Sequence, residues 1–122
     1  MANPNIVGVT TINGNNGSIQ VTSTAAHLVR NSSGSGKVYK INQIYVSNVD
    51  TAVADEVIAT LVDDPTGTPT TRHIAKNVSI PAKATLELLS APFYLKENQD
   101  IQIAGVAASG DLEAVATWEE IS

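Results

Sequence analysis

The chain has 122 residues, no cysteine, a formal net charge of −5, and only 16% charged against 43% hydrophobic residues. That length encloses one core without staples, and the missing cysteines exclude disulfides, thiolate metal sites and cysteine nucleophiles together. Seven scattered basic residues on an acidic chain exclude a broad nucleic-acid contact, which depends on neutralising phosphates with Lys and Arg.

The opening segment, Met1 to Gly8, has no basic stretch followed by an apolar one, so no secretory signal is expected. No apolar run approaches the ~20 residues needed to span a bilayer. Ile6 to Ile12 reads as a first strand, and the Asn-Gly pairs in Asn13 to Gly17 predict a tight turn after it. Ile19 to Arg30 reads as a strand or a broken pair of strands, weak at Ala25 and Ala26. Asn31 to Gly36 (N-S-S-G-S-G) is a loop by composition.

Lys37 to Val49 is the strongest strand signal, because its β-branched and aromatic residues largely alternate with polar ones. A loop after Asp50, with a helical turn near Ala52 to Ala54 as an alternative, leads to a strand from about Glu56 to Asp63. Two prolines and Gly67 predict a hairpin loop over Asp63 to Thr71. In Arg72 to Ile80 the alternation places Ile74, Val78 and Ile80 on one face, and Lys76 marks an edge strand or a strand end. Pro81 and Pro92 bound a strand starting at Thr85 and another over Phe93 to Leu95. Ile101 to Val106 and Leu112 to Ile121 read as a closing pair. The fold class is therefore all-β: one domain over residues 1–122, a β-sandwich or jelly-roll-like barrel of about eight or nine short antiparallel strands.

Chemistry is sparse. Neither His27 nor His73 lies in a nucleophile motif, so no catalytic residue is assigned and the chain is not read as an enzyme. Asp55-Glu56, Asp63-Asp64 and Glu119-Glu120 invite a calcium reading, but Asp at a turn start usually caps local N–H groups, and adjacent Glu on a strand point to opposite faces. No metal or cofactor is assigned. Gly34-Ser35-Gly36 lacks the residues and context of a phosphate loop. Tyr39 and Tyr45 share parity on a regular strand and would share a face unless a bulge intervenes. That pair keeps a carbohydrate-stacking reading open, and Trp118 is expected in the core or at a subunit contact.

Asn3 to Ile12, Gly36 to Asp50, Ile80 to Leu88, Leu95 to Ile101 and the terminal Glu120-Ile121-Ser122 together resemble the small β-sandwich virion proteins of tailed bacteriophages, especially those of cyanobacteria. The resemblance implies a virion protein made in the host cytoplasm: a capsid decoration (cement) protein, or a neck, tail or fibre component. It further implies a homo-oligomer, often a trimer, docked on a major capsid protein or other virion proteins. Asn3, Pro4, Asn5, Ile6 and Val7 would then be partner contacts, residues 1–7 forming an extended arm that adds a strand to a neighbour. Its rival from another class is a surface carbohydrate-binding module using Tyr39 and Tyr45.

Overall fold

The computed structural model describes Gly8, residues 10–107 and residues 110–122. Among the described residues nine strands form: β1 (Ile12–Val21), β2 (Ala26–Asn31), β3 (Val38–Asn48), β4 (Asp55–Asp63), β5 (Thr70–Ile80), β6 (Thr85–Glu87), β7 (Phe93–Leu95), β8 (Gln99–Gly105) and β9 (Leu112–Ile121). One sheet runs β1-β9-β3-β6, with β7 also on β3, and the other runs β2-β8-β4-β5. All the pairings are antiparallel. β6 and β7 pair with the two halves of β3, at Tyr45 to Ser47 and Tyr39 to Ile41, so together they fill one strand position. Among the described residues no pairing joins the two sheets, so the fold is a sandwich and not a closed barrel.

The inner faces supply the core. Ile41, Ile44 and Val46 of β3 and Ala114 and Ala116 of β9 are wholly buried, as are Val57 and Ala59 of β4 and Ile101 of β8. Alanines in β9 leave room for the larger side chains beside them, and Trp118 packs into the same cluster. This is the alternation expected of strands with one face on a core.

Sequence and structure part in three places along the strands. Asn13 to Gly17 is no turn: it is the first half of β1, ten residues paired without a register shift to β9. Here Asn15 donates across to Glu120 at 2.8 Å. A Cβ on Gly17 would lie 3.1 Å from the Trp118 ring. Within this turn-like stretch Gly17 makes room for the indole and Asn15 serves the carboxylate.

β8 and β9 are not a pair but lie in opposite sheets. Each was recognisable as a strand, but hydrophobic periodicity carries no record of which sheet a strand joins. In β5 the buried residues are Ala75 and Ile80, while Val78 is exposed. Two register shifts against β4, between Val57 and Ala59 and between Ala59 and Thr60, each insert one extra residue into β5, so Ala75 and not Ile74 lies opposite the buried Ala59, while Val78 stays in register with Val57 on an edge strand. Asn77 sits beside one of them at φ 52°. The segment after Asp50 is the expected loop, and the alternative helical turn at Ala52 to Ala54 does not form. Lys76 does lie on an edge strand, since β5 ends its sheet.

Candidate functional site

The densest polar constellation lies where β1, β3 and β9 meet. Antiparallel register puts Asn15 opposite Trp118, and Tyr39 opposite Glu120. The Glu120 carboxylate accepts from Asn15 Nδ2 at 2.8 Å, Lys37 Nζ at 3.0 Å and Trp118 Nε1 at 3.2 Å. Partial burial pushes this carboxyl up, but the three donors and the Lys37 charge together hold it below the ordinary carboxylate range. Glu120 in turn raises the Lys37 ammonium, chiefly through their hydrogen bond. The Tyr39 ring stacks on Trp118, centroids 6.1 Å apart and planes at 18°. Burial raises the Tyr39 phenol, and Glu120 adds to the effect. A carboxylate engaged by three donors acts as a strut between strands, not as a base for a substrate.

Two buried asparagines tie off the ends of the sandwich. Asn31, wholly buried at the end of β2, donates through Nδ2 to the carbonyls of Lys37 at 2.9 Å and Leu95 at 3.1 Å. Asn48, at the end of β3, donates to Val53 at 3.0 Å and Ile80 at 2.9 Å. Beside Asn31, Asp64 accepts from Thr68 N at 2.9 Å and Asn98 Nδ2 at 2.8 Å. These bonds, the Thr68 N–H first, hold its carboxyl below the usual range. Asp64 is therefore a loop cap, as its turn position suggested.

The remaining acidic pairs are dispersed. Asp55 Oδ1 accepts the Ala107 N–H at 3.0 Å, while Glu56 accepts from Asn77 at 3.0 Å. Glu119 faces Asn42 at 3.1 Å. Among the described residues no group of three or more His, Asp or Glu side chains is placed to hold a metal ion. His27 contacts the buried carboxylate of Asp100, whereas His73 pairs with Thr60 on β4. With β8 and β4 between β2 and β5, the two imidazoles sit roughly three strand spacings, ~14 Å, apart.

Tyr39 and Tyr45 do not share a face. A register shift between Ile41 and Gln43 adds a residue to β3 between them. Tyr39 points inward against Trp118, while Tyr45 lies between the fully buried Ile44 and Val46 and so points outward. Asn3, Pro4, Asn5, Ile6 and Val7 lie outside the described residues. The outward Tyr94, 48% exposed, and a shallow depression of about 350 Å³ lined by Ser18, Ile19, Gln20, Glu113, Ala114 and Val115 were not picked out in the sequence. Tyr94 follows from the alternation in Phe93 to Leu95, and the depression has no local signal because β1 and β9 are far apart in the chain. Among the described residues no helix is long and apolar enough to cross a membrane.

No protein-family model matches the chain, and no curated protein matches its sequence. Among solved structures it is similar to two of infectious bursal disease virus, of strains Gx and Gt. The Gx chain aligns at a TM-score of 0.47 and 13% identity, covering 93% of this chain and 33% of that one. The Gt chain gives 0.41 and 13%, covering 93% and 30%. This chain thus spans about a third of the length of the chains it matches.

The expected tailed-bacteriophage family is overturned: no family model supports the assignment, and the two similar solved structures are of infectious bursal disease virus. Of the segments behind that resemblance, Asn3 to Ile12 lies mostly outside the described residues, and the others are β3, the end of β5 with β6, the turn into β8 and the end of β9. Any sandwich with Thr- and Asn-rich turns produces such strand-and-turn patterns, so they do not discriminate one family from another.

Proposed function

We propose that this chain is a structural component of a virion coat: a decoration (cement) protein that binds the coat's major protein and associates with copies of itself. The observation that carries the reading is the sheet order, β1-β9-β3-β6/β7 facing β2-β8-β4-β5. Every connection except β4–β5 and the in-line step from β6 to β7 crosses between sheets, as in the jelly roll of two Greek keys found in viral capsid and lectin domains.

Three features suit that work. Asn31 and Asn48 lock the loops at the two ends, so the sandwich meets its neighbours as a rigid body. A surface with few charges loses little on being desolvated against a neighbour. The polar contacts are knit within the domain, as around Glu120, leaving binding to surface area and strand edges. In this reading Asn3, Pro4, Asn5, Ile6 and Val7 contact a neighbouring coat protein; a trimer has no support apart from the overturned resemblance.

Quantitative mass spectrometry of purified particles tests the reading. A decoration protein is present in a copy number comparable with that of the major coat protein; a few copies per particle, or none, contradicts the role. A second reading, a surface carbohydrate-binding module, draws on the lectin use of the same winding and on the outward Tyr45. Glycan-array binding lost in Tyr45→Ala but kept in the inward Tyr39→Phe would favour it over the first.

A further inference from the structure

The two sheets have four edges among the described residues, and three are guarded. β5 carries Arg72, Lys76 and two register shifts. β2 is six residues long, bears Arg30 and is bulged between His27 and Val29. β6 and β7 are three residues each, with Pro92 between them. Charges, bulges, prolines and short length are the devices that stop edges from pairing with other chains. β1 has none of them: ten residues, I-N-G-N-N-G-S-I-Q-V, without charge, proline or register shift.

The backbone of that edge can be assigned group by group. Thr11 and Ser122 exchange both hydrogen bonds, N to O at 3.1 Å and 3.0 Å, so they form a hydrogen-bonded antiparallel pair. The register continues unshifted, so alternate residues from Asn13 to Val21 aim their N–H and C=O groups at β9. Ile12, Gly14, Asn16, Ser18 and Gln20 aim theirs outward. Among the described residues one outward group has a partner: the Asn16 N–H donates to Asn15 Oδ1 at 2.8 Å.

We propose that the outer edge of β1 is a self-pairing edge, occupied by β1 of a second copy running antiparallel across a two-fold axis. The chemistry points to a copy of this chain because the edge is its own complement. Centred on Asn16, the pairing sets Gly14 opposite Ser18 and Ile12 opposite Gln20, so all five outward residues find partners. Asn16 meets itself on the axis, and Asn15 releases the Asn16 N–H as the strands join. The result is one sheet continuous through two molecules. This deepens the assembly role proposed above and rests on it for its purpose; pairing is read on the purified chain and copy number on particles, so either can fail without the other.

Sedimentation velocity of the full chain over a concentration series reads the pairing. Wild type is expected to approach twice the monomer mass. Ser18→Pro removes an outward donor without touching the β9 ladder and is expected to weaken the dimer at least tenfold with unchanged circular dichroism. Asn16→Lys places two like charges opposite each other and is expected to do the same. Mixing Asn16→Lys with Asn16→Glu is expected to restore a heterodimer, which no folding defect can explain. A wild type that stays monomeric overturns the proposal, as does a dimer indifferent to these variants. A monomer that dimerises only after deletion of residues 2–7 assigns the edge to the chain's own terminus and overturns it equally.

Discussion

Asn31 and Asn48 perform the same task at opposite ends of the sandwich: each buried side-chain amide donates to two main-chain carbonyls, one in a connection and one at the end of a strand. Asn31 joins the β2–β3 connection to the end of β7, and Asn48 joins the β3–β4 connection to the end of β5. Loop geometry at both ends thus depends on one residue each. Replacing either by Ala leaves two carbonyls without their donor, and an unsatisfied buried group costs about 1–3 kcal/mol. Asn31→Ala and Asn48→Ala are each expected to lose roughly 2–4 kcal/mol in urea unfolding. The Asp variants are expected to lose more, because a carboxylate oxygen would face carbonyl oxygens.

Gly17 is set by Trp118. A Cβ at position 17 would meet the indole at 3.1 Å and 3.3 Å. The indole has little freedom to retreat, being stacked on Tyr39 and hydrogen-bonded to Glu120. Gly17→Ala is expected to destabilise by about 1 kcal/mol net, overpacking exceeding the gain from a stiffer unfolded chain. Trp118→Phe in the same background should recover part of that loss in thermal denaturation.

The Glu120 cluster sets part of the acid limb of stability. Its folded carboxyl lies below the unfolded value of about 4.3. Its contribution is fully present above that pH and is lost as pH falls through the lower folded value. Asp64 and Asp50 are shifted the same way, the latter first by the Ala52 N–H. The melting temperature is expected to fall steeply below about pH 4. Glu120→Gln should flatten that fall and lower the plateau at neutral pH. Lys37 works in reverse: its raised ammonium contributes below its unfolded value and is lost as pH rises through the folded one.

Lys83 occupies the third position of the Pro81–Ala84 turn at φ 62°, with Ala84 N bonded to Pro81 O at 3.1 Å. That backbone favours glycine. Lys83→Gly is expected to raise stability by about 0.5–1 kcal/mol, measured by urea denaturation.

Much of this fold is legible in the residues. Val38 to Asn48 and Leu112 to Ile121 alternate clearly, and Pro81 and Pro92 mark real breaks. What escapes reading is what one extra residue does. A bulge leaves composition and periodicity nearly intact yet turns Tyr45 away from Tyr39 and sets Ala75, not Ile74, opposite the buried Ala59. Asn13 to Gly17 misleads for another reason: Gly17 answers to Trp118, about a hundred positions downstream. The constellation around Glu120 is hidden in the same way, since Asn15, Lys37 and Glu120 become neighbours only through strand pairing.

Electron cryo-microscopy of purified particles is the decisive test of the proposed coat role. A decoration protein is expected to give density for a two-sheet sandwich at every symmetry-equivalent position of the coat, seated across the junctions between coat subunits. Density confined to one vertex, or none on the shell, would contradict it.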